Sequence, residues 1–152
     1  MKELLAHAAS LGVAVHVAHI DGPYRGYYDS VKKMVVYDFA LTPVERMSVL
    51  AHELGHAFYD HQCYGNPKFE AAADYYAACL LISPEAYVDA ERIDPCPDVI
   101  AETLGVESKL VKAFEARALT RVRGATYVQS RMGARQYQLR SGGDQLAFRG
   151  LA

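Results

Sequence analysis

The spacing of apolar residues divides the first third of the chain into one helix and three strands. Apolar residues recur every three or four positions over residues 2–11, and Gly12 ends that pattern. Residues 13–20 alternate between apolar and polar, and the runs 26–29 and 34–38 also favour strands. We therefore predict a short helix followed by a small, mostly antiparallel sheet.

The middle of the chain carries repeated helix-start signals. Thr42, Pro43 and Glu45 combine an N-cap, a proline at the first helical position and a capping box, which predicts a helix from Pro43 to about His61. Similar cap-plus-proline signals and apolar spacing predict further helices over residues 67–82, 84–93, 97–104 and 108–119. The predicted fold class is therefore α+β, with the sheet followed by a helical core.

The pattern weakens beyond Thr120. Residues 126–129 and 136–139 alternate and predict a last hairpin, whereas 141–144 and the end of the chain are typical of a flexible tail. We therefore divide the chain into one folded domain over residues 1–119 and a basic C-terminal extension over residues 120–152.

Composition and charge narrow the protein class. The chain has 152 residues, of which 51% are hydrophobic and 22% charged, as is usual for one soluble globular domain. Residues 1–106 carry 7 basic against 15 acidic side chains, and residues 107–152 carry 9 against 3. This asymmetry favours an anionic partner for the C-terminal part, docking between the two parts, or simply a solvated basic tail.

Other global features favour a cytoplasmic protein. The three cysteines form no CxxC pair and are odd in number, which is typical of reduced thiols rather than of a disulfide framework. The sequence has no transmembrane run, and an acid at position 3 makes the start a poor signal peptide. We expect no membrane partner.

The strongest chemical signal is an HExxH motif inside the predicted helix 43–61. His52 and His56 are four residues apart, so their imidazoles share one helix face and can converge on one metal ion. Glu53 lies about 100° round the helix, where it can reach a water on that ion as a general base. Gly55 is a poor helix former, and we expect it to leave room for another backbone. The alternative is an amphipathic helix with two surface histidines.

A catalytic zinc usually keeps three protein ligands and one water, so a third ligand is needed. Asp60 lies too far along the same helix, and the three-histidine pattern requires a histidine where this chain has Gln62. Glu70 and Asp74 remain, one turn apart on the next predicted helix. We predict Glu70 as the third ligand and Asp74 as the acceptor of a ligand histidine's N–H. A solvated acidic face is the alternative.

At this point the sequence resembles the ImmA/IrrE family of metallo-endopeptidases, over about residues 1–118. The residues that carry the resemblance are Leu50-Ala51-His52-Glu53-Leu54-Gly55-His56-Ala57 and the run from Glu70-Ala71-Ala72-Ala73-Asp74 to Pro84. Tyr76 replaces the family's usual phenylalanine, and one extra residue precedes Pro84. The resemblance implies a small intracellular zinc protease of prophages or mobile elements, acting on a helix-turn-helix repressor.

The predicted mechanism is metal-assisted peptide hydrolysis. His52, His56 and Glu70 hold one Zn²⁺, which lowers the pKa of its water towards about 7. Glu53 then takes a proton from that water and delivers it to the leaving amine. Two alternatives remain. One is a regulator that binds metal and a repressor without cutting, and the other is a DNA-binding module over residues 97–119 with basic residues Lys109, Lys112 and Arg117.

Overall fold

A computed structural model describes residues 1–62, 65–122, 125–129, 136–140 and 146–150, with side chains as far as residue 119. The elements follow one another as helix α1 (Lys2–Ser10), strands β1 (Ala14–Ala18), β2 (Gly26–Asp29) and β3 (Met34–Asp38), and helices α2 (Pro43–Phe58), α3 (Pro67–Leu81), α4 (Pro84–Ile93), α5 (Pro97–Leu104) and α6 (Ser108–Ala118). The predicted α+β class is confirmed.

The first sheet is mixed rather than antiparallel throughout. Its strand order is β1-β3-β2, with β2 antiparallel to β3 and β1 parallel to β3. Each connection reverses the chain, as the sequence predicts, but β3 lies between the other two strands. The neighbour of β1 is therefore the strand that runs in its own direction, and β2 is left as a sheet edge.

Local capping explains where the helices begin. The Thr42 hydroxyl accepts from the backbone N–H of Glu45, and the Glu45 carboxylate accepts from the backbone N–H of Thr42, which completes the predicted capping box. The side chains of Asn66 and Ser83 cap α3 and α4, each followed by proline at the first helical position. These caps fix the phase of the helices that carry the motif residues.

Helix α2 ends at Phe58 rather than at about His61 as predicted. Asp60 takes a left-handed conformation with φ 51°, and the backbone N–H of His61 bonds to the carbonyl of His56 at 3.0 Å. The Asp60 N–H also bonds to the Ala57 carbonyl at 3.3 Å, so the end is a Schellman motif. Residues 59–61 consequently turn back over the last helical turn.

The core forms where α2 and α3 meet the sheet and the later helices. A Cβ placed on Gly55 would lie 2.8 Å from Cα of Ala73 and 3.0 Å from its carbonyl oxygen, so the two backbones meet at this glycine. The expected room for another backbone is therefore confirmed. The largest fully buried side chains are Tyr87, Leu50, Leu54, Ile100, Leu110, Val35, Val88 and Val111.

The C-terminal part forms a second sheet of strands β4 (Leu119–Val122), β5 (Ala125–Gln129), β6 (Gln136–Arg140) and β7 (Leu146–Gly150). All of its pairings are antiparallel, in the order β4-β5-β6-β7. Strands β5 and β6 pair antiparallel over the residues for which a last hairpin is predicted. The end of the chain, for which a flexible tail is predicted, contains strand β7, so that prediction is wrong for residues 146–150. The segment 141–144 lies outside the described residues, and the division into two domains stays a prediction.

Candidate metal centre

The close approach at Gly55 brings side chains from two helices to one point. His52 and His56 project from the buried face of α2, where they are 9% and 4% exposed. Glu70 comes from the first turn of α3 and is half-buried. A methyl group at Gly55 would push α3 away, so the glycine is what allows Glu70 to reach the histidines.

The three donor groups lie close to the spacing that a tetrahedral metal requires. The Nε2 atoms of His52 and His56 are 3.0 Å apart. Oε2 of Glu70 lies 3.2 Å from Nε2 of His52, and Oε1 of Glu70 lies 3.6 Å from Nε2 of His56. Ligands at about 2.0–2.1 Å from tetrahedral zinc lie roughly 3.3 Å from one another. Burial and the neighbouring His52 lower the pKa of His56 to about 4, which keeps its imidazole neutral, as a ligand must be. The donor set therefore fits a zinc-like ion.

Glu53 lies beside these donors, on the α2 turn that carries His52. It is 7% exposed, and burial raises the pKa of Glu53 to about 7, against a smaller lowering by His52. Its Oε2 atom is buried and finds no hydrogen-bond partner among the described residues. A buried acceptor without a protein partner normally accepts a hydrogen bond from a ligand or an ordered water. A cation at the neighbouring donors would lower the pKa of Glu53 from this value.

A carboxylate holds the far side of His52. Oδ1 of Asp74 lies 2.8 Å from Nδ1 of His52 and 3.0 Å from Nζ of Lys109. Burial raises the pKa of Asp74, but the hydrogen bond from His52 and the charge of Lys109 outweigh it, so the net shift is downward. The Asp74 carboxylate is thus ionised and lies where it can accept the His52 N–H.

A second contact of this kind was missed in the sequence. Nδ1 of His61 lies 3.0 Å from Nδ1 of His56. The three-histidine spacing requires a histidine at position 62, where this chain has Gln62, so it gives the neighbouring His61 no role. Because the contact depends on the turn after Phe58, no helical spacing rule reveals it; the signal available was a histidine just beyond the helix end.

A cleft of about 600 Å³ opens onto the donors. Its wall includes Gly26 and Tyr27 of the edge strand β2, together with Ile20 and Tyr24 from the preceding segment. Glu53 lines the same cleft as His52, His56 and Glu70. A molecule in the cleft would therefore meet an apolar wall, an open sheet edge and the polar cluster together.

Other candidate residues lie apart from the donors or have other partners. His16 is exposed on β1, and Asp60 pairs with Lys33 at 2.8 Å. Among the basic residues of the proposed DNA-binding outline, Lys109 pairs with Asp74, Lys112 pairs with Asp98 at 3.7 Å, and Arg117 lies over the ring of Tyr75. These contacts favour a packing role for α6 over phosphate binding.

Comparison with known proteins identifies a family match. The model of a peptidase family, described as the IrrE N-terminal-like domain, matches residues 8–115. The match includes the sheet β1-β3-β2, both helices of the donor cluster and most of α6. No curated protein matches the sequence. No helix within the described part of the chain is long and apolar enough to cross a membrane.

Proposed function

Since the chain belongs to the IrrE N-terminal-like peptidase family, we propose that it is a zinc-dependent endopeptidase that hydrolyses peptide bonds of a protein substrate. One observation carries this proposal. Three spaced donors, His52, His56 and Glu70, face the same cleft as Glu53, a buried carboxylate with an acceptor oxygen left over. That combination suits hydrolysis better than it suits metal storage, which needs no base.

Zinc would be held by His52, His56 and Glu70, whose donor atoms lie within 4.8 Å of one another. When bound, it would polarise the substrate carbonyl and make water a better nucleophile at neutral pH. The side chain of Asp74 holds the His52 ring by accepting its Nδ1–H at 2.8 Å. This bond leaves Nε2 of His52 as the free donor.

Glu53 is the general base in this proposal. Burial raises the proton affinity of its carboxylate above that of an exposed glutamate, and a bound cation would lower it in part. The carboxylate can therefore be ionised near neutral pH and take a proton from the attacking water. The same carboxyl can then protonate the leaving nitrogen as the peptide bond breaks. The Glu53 side chain thus takes the proton from the water and later donates it to the leaving amine.

The substrate segment is proposed to bind along β2. This strand lies at an edge of the sheet β1-β3-β2, and two of its residues, Gly26 and Tyr27, line the cleft. An extended peptide can add to such an edge through backbone hydrogen bonds. On the resemblance to the ImmA/IrrE family, we propose a helix-turn-helix repressor of a prophage or mobile element as the substrate, and the cytoplasm as the site of action.

The test pairs metal content with cleavage. Wild type and Glu53→Gln are purified, their bound zinc is measured, and each is incubated with the repressor-like protein encoded nearest the gene. We expect near one zinc per chain in both, and cleavage slowed by about 10²–10⁴-fold in the variant, because only the base is lost. Glu102→Gln, at an exposed position of α5, is the matched control and should cut like wild type.

Zinc in both proteins with cleavage by neither would favour the non-proteolytic regulator, or a different substrate. Equal cleavage by wild type and Glu53→Gln would contradict the role of Glu53. Absence of zinc in both, even after reloading, would contradict the ligand set.

A further inference from the structure

We infer that His61 is a positioning residue for His56: its Nδ1 accepts the Nδ1–H of His56 and so holds the His56 ring with Nε2 free to bind the metal. The inference rests on the proposed metal function. It assigns a role to a histidine outside the HExxH motif and outside the donor set.

The turn after α2 delivers His61 to this position. The Schellman motif bonds the His61 backbone N–H to the His56 carbonyl at 3.0 Å, so backbone and ring of the two residues are both in contact. Asp60, which takes the left-handed conformation in that motif, is bound to Lys33 Nζ at 2.8 Å. The turn is therefore held by the contacts of His61 with His56 and by the ion pair of Asp60 with Lys33.

Helix α3 fixes the plane of the His61 ring. Phe69 stacks on it with ring centroids 4.1 Å apart and an angle of 11° between the planes. Phe69 immediately precedes Glu70, so the helix turn that supplies the third donor also supplies this wall. With its plane set by Phe69 and its backbone set by the turn, the His61 ring meets His56 edge-on, at an angle of 68°.

The protonation states follow from the geometry. A histidine that binds metal through Nε2 carries its proton on Nδ1, and that N–H needs an acceptor. Between two Nδ1 atoms 3.0 Å apart, one must donate and the other accept. His61 is therefore neutral, with its own proton on Nε2. Among the described residues, the two ligand histidines thus have different supports, a carboxylate for His52 and an imidazole for His56.

Two substitutions separate the acceptor atom from the ring. His61→Phe keeps a ring to stack on Phe69 but has no acceptor, whereas His61→Asn keeps an acceptor oxygen near the Nδ1 position and loses most of the ring. Zinc affinity of the full-length protein is measured by competition with a chromophoric chelator. The absorption of the cobalt-substituted protein reports the ligand geometry, and thermal melting of the metal-free protein reports folding.

We expect His61→Phe to bind zinc about 10–100-fold more weakly than wild type and to shift the cobalt spectrum, with metal-free melting unchanged. His61→Asn should bind within about threefold of wild type, because its amide oxygen still accepts the His56 N–H. His16→Phe, at an exposed strand position, is the matched control and should bind like wild type.

Wild-type affinity in His61→Phe would overturn the inference. An equal loss in the Phe and Asn variants would also overturn it, because an acceptor atom at this position would then not preserve zinc affinity. Failure of the wild type itself to bind zinc or cobalt would instead overturn the proposed metal function.

Discussion

At the scale of single residues, burial determines what Glu53 can do. An exposed glutamate would be a weak base at neutral pH, but burial raises the pKa of Glu53 to about 7. Such a shift costs folding free energy, since a buried carboxylate loses its hydration. The fold tolerates that cost at a position that lines the same cleft as the donors, where Oε2 of Glu53 is buried without a hydrogen-bond partner among the described residues. Burial on the inner face of α2 therefore determines both the position of the Glu53 carboxylate and its proton affinity.

Asp38 offers a test of the electrostatics away from the metal centre. Its carboxylate accepts the backbone N–H groups of Ile20 and Ala40, each at 2.7 Å, and these bonds hold the pKa of Asp38 below its ordinary value. The bonds join the end of β3 to the segment that lines the cleft. We expect Asp38→Ala to lower the free energy of unfolding at neutral pH.

The pH dependence of that loss has a definite sign. A folded pKa below the unfolded one stabilises the protein at pH values above the unfolded pKa of about 3.9, and the stabilisation disappears as the pH falls through the folded pKa. Denaturant unfolding of wild type and Asp38→Ala from pH 7 to pH 3 should therefore converge at acid pH. Asp21→Ala, at an exposed position, is the control. A difference that grows towards acid pH would contradict the assignment.

At the scale of elements, the decisive contact is the crossing of α2 and α3 at Gly55. Helix propensity alone predicts that Gly55→Ala stabilises α2 by about 1 kcal/mol. The crossing predicts the opposite sign, because the new methyl group would meet the Ala73 backbone at 2.8 Å. We expect a net destabilisation of about 1–3 kcal/mol in denaturant unfolding, and weaker zinc binding as Glu70 moves away.

A double variant that combines Gly55→Ala with Ala73→Gly provides the matched comparison for this prediction. Ala73→Gly removes the Ala73 methyl but leaves the backbone atoms that crowd Gly55, so the double variant should remain destabilised. Recovery of stability in the double variant would show that the methyl groups, rather than the backbones, make the contact.

The sequence predicts where the helices begin better than it predicts where they end. The starts of α2 and α3 follow from Thr42 and Asn66, because caps and prolines act over three or four residues. The end of α2 depends on the left-handed conformation of Asp60, a residue type with no strong preference for that turn, and on Lys33 from the turn between β2 and β3. Likewise, the local pattern predicts β1 but not that β3 becomes its neighbour.

At the scale of the molecule, the proposed metal joins two helices that approach closely at Gly55 and Ala73. The donors come from α2 and α3, and the residue pairs at the crossing include Gly55 and Ala73. The spacing of the motif predicts that the two histidines share one helix face. Glu70 is predicted by excluding Asp60 and position 62 and from its place on the next helix. The His61 contact and the Lys109 contact to Asp74 require the tertiary fold, so no local rule gives them.

Removal of metal should therefore lower the stability of the whole domain. A ligand that binds only the folded state adds about 2.7 kcal/mol at a free concentration one hundred times its Kd. For a chain of this size, that corresponds to a rise in Tm of roughly 5–10 °C. We expect a chelator to lower the Tm by this amount and added zinc to restore it, as measured by calorimetry. An unchanged Tm would contradict metal bridging of the two helices.

We propose that His52, His56 and Glu70 bind one zinc ion next to Glu53. Anomalous diffraction from crystals of the zinc-loaded protein, recorded above and below the zinc absorption edge, locates that ion. We expect one strong peak, bonded to Nε2 of His52, Nε2 of His56 and the Glu70 carboxylate, with Glu53 beside it but not bonded. A peak at other residues, or none between α2 and α3, would contradict it.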